Sequence, residues 1–203
     1  MGMRIGFGFD SHAFKPGVPL VIGGLKIDHP EGLAGHSDGD VLLHAITDAL
    51  LGAVSAGDIG TFFPPSDPRW KGAASHIFLE TALEEIATAG YRIVNVDTVM
   101  VMMRPKVVPI AGEIRESVAR LLGIKPGDVG IKAKTPEGLN QDGVAVVYAT
   151  VLLESLKEPE QLARMVAVAE DDMDAVVESL VGKSRDMSAL GRKVTPFNTD
   201  DLT

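Results

Sequence analysis

The chain has 203 residues, 45% hydrophobic and 23% charged, the balance of a folded rather than a disordered protein. It contains no cysteine, which excludes disulfides and thiolate metal sites, so any bound metal must be held by His, Asp or Glu. A formal net charge of −9, from 19 basic and 28 acidic residues, argues against nucleic acid and anionic membranes as partners but not against one anionic small molecule.

The elements can be taken in chain order. Arg4 to Phe9 is apolar with glycine interruptions and predicts a first strand. Val18–Ile22 and Leu25–Asp28 flank Gly23-Gly24, a two-residue hairpin signal. A polar loop, His36 to Asp40, leads into a helix over Val41–Leu51, capped by Ser37 or Asp38 and ended by Gly52. Three prolines make 57–68 a loop. A second helix is predicted over Ala73–Ala89 and a long strand over Tyr91–Met103. The third helix begins near Pro109, carries Ile110, Ile114, Val118, Leu121 and Leu122 on one stripe, and stops at Gly123. Gly130–Thr135 and Val144–Leu153 predict the last two strands. The order implies an α+β sandwich with helices on one face of a mixed sheet, ferredoxin-like in its βαβ connection. Composition changes after Ser155. The expected division is a domain over 1–155 and an extension over 156–203, with a helix at about 159–181 and then a polar tail.

No apolar run approaches the ~20 residues needed to cross a bilayer. Met1 to Phe14 lacks the basic-then-apolar order of a secretory signal, so a cytoplasmic location is expected.

Asp10-Ser11-His12 lies on an extended segment, where residues two apart share a face, so Asp10 and His12 point together. That pair suits half a metal site, or a hydrogen-bonded pair near a strand end. His44 interrupts an otherwise apolar helix, with Asp40 and Asp48 four residues to either side on its face. A metal-bound imidazole usually gives its other N–H to a carboxylate, a role open to Asp48 or Asp40. Two His and one Asp with a fourth position open suit a zinc acting as a Lewis acid. Three fragments suit a phosphorylated ligand: Asp58-Ile59-Gly60, Lys106 after Pro105, and Lys132-Ala133-Lys134-Thr135-Pro136-Glu137. Glu137 in the last could hold a magnesium that bridges phosphate oxygens. Each fragment alone is equally well a turn or a solvated face.

Together RIGFGFDSHAF (4–14), VIGGLKI (21–27), GHSDGDVLLHAITDALLGA (35–53), GDIGTFFPPSDPRWKGA (57–73), PK (105–106) and AKTPEGL (133–139) closely resemble the 2-C-methyl-D-erythritol 2,4-cyclodiphosphate synthase family of the non-mevalonate isoprenoid pathway. The match runs from about residue 3 to 155. It implies a homotrimer with active sites at subunit interfaces. The implied substrate is 4-diphosphocytidyl-2-C-methyl-D-erythritol 2-phosphate, which is cyclised with release of CMP. Position by position, the resemblance makes Asp10, His12 and His44 zinc ligands and Glu137 the ligand of magnesium or manganese. It places His36 and Thr135 as charge stabilisers. It places His36 and Ser37 near the methylerythritol phosphate, and Asp58, Ile59, Gly60, Phe63 and Asp67 in a substrate-binding segment. The cytidine pocket matches Met102, Met103, Arg104, Pro105, Lys106, Val107 and Val108, with Ala133 and Lys134 beside the phosphates. A strand end packed in the core is the alternative for Met102, Met103, Val107 and Val108.

Some positions depart from the family. Pro65 stands where an acid is usual, and Lys134 where a threonine is. The glycine-rich loop that follows the magnesium ligand in the family, near its three-fold axis, is shortened here: Asn140-Gln141-Asp142-Gly143 leads directly into the final strand. The alternative function is therefore a trimeric metal- and cytidine-nucleotide-binding protein with impaired turnover.

Overall fold

The computed structural model describes residues 2–138 and 142–156. The helix expected at about 159–181 and the tail after it lie outside the described residues. Among the described residues, seven strands form two sheets. β1 (Met3–Pro16), β4 (Glu31–Leu33), β5 (Tyr91–Val101), β6 (Val129–Lys134) and β7 (Val144–Ser155) make one sheet in the order β4-β1-β7-β5-β6. β2 (Leu20–Ile22) and β3 (Leu25–Ile27) pair as a hairpin. Among the described strands only β5 and β6 run parallel, and α4 (Ala111–Leu122) connects them as a βαβ unit. The α+β class and the mixed sheet agree with the expectation.

β1 explains how the layers fit. Its even positions Gly6 and Gly8 are buried against α1 (Val41–Ala53). A Cβ at Gly6 would lie 1.8 Å from the Ala49 carbonyl oxygen, and one at Gly8 1.9 Å from that of Ala45. Only glycine permits this approach, so the helix backbone rests directly on the strand. The odd positions Met3, Ile5, Phe7 and Phe9 face the other way and are 70%, 72%, 63% and 48% exposed. α1 is apolar on nearly every side because it is buried between the sheet and α3 (His76–Thr88). Leu42, Leu43, Ile46, Leu50 and Leu51 from α1 join Leu79, Ile114, Met100, Val147 and Leu153 in one core. Fully burying each such side chain contributes roughly 1.5–3 kcal/mol.

Several boundaries differ from expectation. β1 extends well past Phe9, because its second half pairs with both β7 and the short β4, which has too few residues to show a period. The cap of α1 is Asp40, not Ser37 or Asp38. Its carboxylate accepts from Leu43 N at 3.1 Å and also from Gly23 N (3.0 Å) and Gly24 N (2.6 Å) of the hairpin turn. Gly52 does not end α1, which continues to Ala53. The predicted loop 57–68 contains a single helical turn, α2 (Ile59–Phe62), capped by Asp58. The second predicted helix begins at His76 rather than Ala73. Gly123 does end α4, in the left-handed conformation (φ 68°) that an αL cap requires.

Candidate metal centre and active site

Asp10 and His12 occupy even positions of β1 and so face α1, as the strand period requires. His44 lies one turn into α1. The close seat of α1 on Gly6 and Gly8 brings the three side chains together. Asp10 Oδ2 is 2.9 Å from His12 Nε2 and 2.9 Å from His44 Nδ1, and the two nitrogens are 3.1 Å apart. Among the described residues this is the one group of three or more His, Asp or Glu side chains with donors close enough to share an ion. A tetrahedral zinc with ligands at ~2.0–2.1 Å holds them about 3.3 Å apart, so the triangle need open by only a few tenths of an ångström. An ion held by these three side chains would keep a fourth coordination position open.

The electrostatics agree with a cation site. Burial pushes the Asp10 carboxyl up, but hydrogen bonds and charge from His12 and His44 outweigh it and hold Asp10 well below the usual carboxylate range. For His12, burial favours the neutral ring, while the hydrogen bond and charge of Asp10 prevail and raise its pKa. At Asp48, one turn after His44, burial and the nearby Asp58 and Asp10 charges raise the pKa despite an N–H bond from Ile59.

The second ring nitrogen of His44 does not meet a carboxylate. Asp40 is turned away to the helix cap and hairpin, and Asp48 accepts from Ile59 N at 2.8 Å. His44 Nε2 instead lies 2.9 Å from Ser37 Oγ and 2.9 Å from Ser75 Oγ. Ser75 donates its hydroxyl to Asp38 Oδ1 and its backbone N–H to Asp38 Oδ2 at 3.1 Å. The carboxylate expected at Asp40 or Asp48 is therefore supplied by Asp38, one hydroxyl further out. Ser75 gave no signal in the sequence, because a Ser before a helix ordinarily caps it; here it makes no cap bond.

The other predicted residues divide into two groups. Near the triad, His36 is exposed and its carbonyl accepts from Gly72 N at 2.7 Å. Asp58 accepts from Thr61 N and Oγ1, each at 2.8 Å, and these bonds, that of the hydroxyl foremost, hold it below the usual carboxylate range. Ile59 and Gly60 form the short turn behind it. Phe63 packs on Phe78 (4.4 Å between centroids) and edge-on to Trp70 (4.9 Å), and Phe78 in turn lies 5.9 Å from the His44 ring. Asp67 is clasped by Arg69 at 2.6 Å.

The second group is farther off. Met102 and Val107 are buried in the core, as the packing alternative supposed, whereas Arg104, Lys106 and Val108 are exposed. Met103 and Pro105 are half-buried. Ala133 and Lys134 end β6, and Thr135 Oγ1 donates to Glu137 Oε1 just beyond. Asp10, Val147, Met100 and Ala133 stand in one row across β1, β7, β5 and β6. Three strand spacings put the end of β6 and the 135–137 segment about 14 Å from the triad within one chain. Both groups share one end of the sheet but do not meet.

The model of the YgbB family matches residues 3–154. The chain belongs to the YgbB family. A relative from Koribacter versatilis, named 2-C-methyl-D-erythritol 2,4-cyclodiphosphate synthase, is 66% identical over 152 residues, covering 75% of this chain and 98% of the relative. One from Aquifex aeolicus with the same name is 52% identical over 153 residues, covering 75% and 98%. A solved structure of a synthase of that name in a CDP-bound form superimposes with a TM-score of 0.71 at 41% identity, covering 74% of this chain and all of that one. The YgbB match confirms the resemblance seen in the motifs. No described helix is long and apolar enough to cross a membrane.

Proposed function

We propose that Asp10, His12 and His44 form the metal centre of a 2-C-methyl-D-erythritol 2,4-cyclodiphosphate synthase, an enzyme of isoprenoid biosynthesis. Relatives 66% and 52% identical that carry this name support the activity. The observation that carries the site is the convergence of three donor atoms, from a strand and a helix, to within 3.1 Å of one another.

In the reaction, an oxygen of the 2-phosphate attacks the β-phosphorus of the cytidine diphosphate. A P–O bond forms, the bond from that phosphorus to the CMP oxygen breaks, and CMP leaves with the electron pair. No nucleophilic side chain is needed. The obstacle is bringing two anionic phosphates together, which in a partly desolvated site at ~4 Å costs several kcal/mol. A divalent cation such as zinc, when bound at the triad, supplies positive charge beside the reacting phosphates. Lys106, Lys134 and Thr135 are assigned to hold the diphosphate, and His36 to face the developing charge. Asp58 is pre-aimed by Thr61 and assigned to the sugar hydroxyls. Glu137, an exposed carboxylate beside Thr135, suits a magnesium held by one protein ligand and by substrate phosphates.

Two features support the proposed homotrimer. Met3, Ile5, Phe7, Phe9 and Tyr148 form an exposed apolar sheet face, with Tyr148 against both phenylalanine rings. The ~14 Å gap between the triad and the phosphate segment closes if one copy presents its 102–108 and 133–137 segments to the triad of the next. Residues 157–203 lie outside both the family match and the described residues, and we assign 156–203 as a separate extension.

Incubation with the substrate and magnesium should release CMP and the cyclic product. CDP binding without CMP release would instead identify a nucleotide-binding protein with impaired turnover, a reading that the intact ligand triad does not favour.

A further inference from the structure

We propose that Ser75 is a positioning residue for the metal, a role that rests on the triad being a metal site. The hydrogen-bond chemistry admits few alternatives. Asp38 offers only acceptors, and both of its oxygens are committed: Oδ1 takes the Ser75 hydroxyl and the Asp40 N–H (3.2 Å), and Oδ2 takes the Ser75 N–H (3.1 Å). The Ser75 hydroxyl proton is thus spent on Asp38, and its oxygen presents only lone pairs to His44 Nε2, 2.9 Å away. Nε2 must then carry the ring proton. Nδ1 faces Asp10 Oδ2 and His12 Nε2, so it is the nitrogen whose lone pair a cation would take in place of its contact with Asp10, while the Nε2 proton stays hydrogen-bonded to Ser75.

Ser37 is the competing partner, since its Oγ is equally close to Nε2. The two hydroxyls differ in freedom. Ser75 is fully buried and held at two atoms by Asp38, whereas Ser37 is half-exposed and held only by the Gly39 N–H at 3.2 Å and by Ser75 Oγ at 3.2 Å. Ser75 therefore maintains the ring in place, and Ser37 is free to turn its hydroxyl to substrate without loosening the metal. The anchor reaches across the fold: Asp38 precedes α1, Ser75 precedes α3, and His44 lies between them.

Zinc affinity of the full-length protein, titrated against a chromophoric chelator, tests this apart from turnover. Ser75→Ala should weaken zinc roughly 10–100-fold, the usual effect of removing an outer-shell partner, and near-isosteric Ser75→Cys should do nearly the same. Ser37→Ala should weaken zinc by less than about 3-fold. An independent readout on the wild type is the ¹⁵N spectrum of His44 in the metal-free protein, which should show the proton on Nε2. Zinc affinity unchanged in folded Ser75→Ala or Ser75→Cys would overturn the proposal, as would a larger loss in Ser37→Ala or a His44 ring with no proton on Nε2. If neither Ser75 variant folds, the spectrum decides. If the wild type itself does not bind zinc, or binds it equally well in His44→Ala, the metal reading fails rather than the role of Ser75.

Discussion

Replacing Gly8 by alanine tests the central geometric claim, that the proposed metal ligands meet because α1 lies directly on β1. The new methyl would stand 1.9 Å from the Ala45 carbonyl oxygen and 2.7 Å from Ala49 N, both helix backbone atoms with no rotamer to adjust. An ordinary carbon–oxygen contact is about 3.3 Å, so strand and helix must separate by about 1.4 Å. Overpacking of this kind typically costs about 1–3 kcal/mol. The larger consequence falls on His44, which adjoins Ala45 and moves with it. Metal–ligand distances tolerate about 0.2 Å, so the displacement is several times what the triad can absorb. Zinc affinity should fall by about 100-fold or more, in a protein that still shows a cooperative melt. Gly112→Ala, where a Cβ meets nothing within 4 Å, is the control and should leave both properties intact. Equal zinc affinity and equal melting temperature in the two variants would refute the close-approach argument.

Four further outcomes are expected. His44→Ala should keep the fold, since the rest of α1 is apolar and buried, yet lose zinc and CMP release together; metal analysis and a turnover assay check this. Asp40→Ala strands three N–H groups, those of Gly23, Gly24 and Leu43, and should lower unfolding free energy in urea by about 3 kcal/mol or more. Phe7→Arg places a charge in the exposed aromatic face and should shift the assembly toward monomer in sedimentation, with zinc binding retained. The last concerns pH in the metal-free protein. The folded pKa of His12 is raised above 6.5, so its pairing with Asp10 adds stability that is complete below about pH 6.5 and lost as pH rises through the raised value. The melting-temperature advantage of wild type over His12→Gln should therefore shrink from about pH 6 to about pH 9, and an advantage that grows would contradict the sign.

How much of this was legible in the sequence depended on the range of the interaction. The shared face of Asp10 and His12 follows from the two-residue period alone. The hairpin at Gly23-Gly24 and the stop at Gly123 follow from glycine conformations. That His44 would join the pair was suggested by its donor chemistry and by the resemblance but not by spacing, although Gly6 and Gly8 just before the pair mark a close backbone approach. The roles of Asp40 and Ser75 were out of reach. Asp40 is committed to amides seventeen and sixteen residues earlier, and Ser75 to an imidazole thirty-one residues earlier. Local reading therefore misassigned the α1 cap to Ser37 or Asp38 and the partner of His44 to Asp40 or Asp48. β4 escaped because three residues carry no period, and its pairing depends wholly on β1.

The division of β1 into two faces makes its length unusually constrained. Inserting or deleting one residue before Asp10 would invert the alternation downstream of the change. Made before Gly6, such a change would turn Phe7 and Phe9 into the helix backbone and Gly6 and Gly8 toward solvent, and the acid and imidazole would point away from their partner. A single-residue length change there would damage packing, metal binding and assembly at once, whereas a two-residue change restores the alternation.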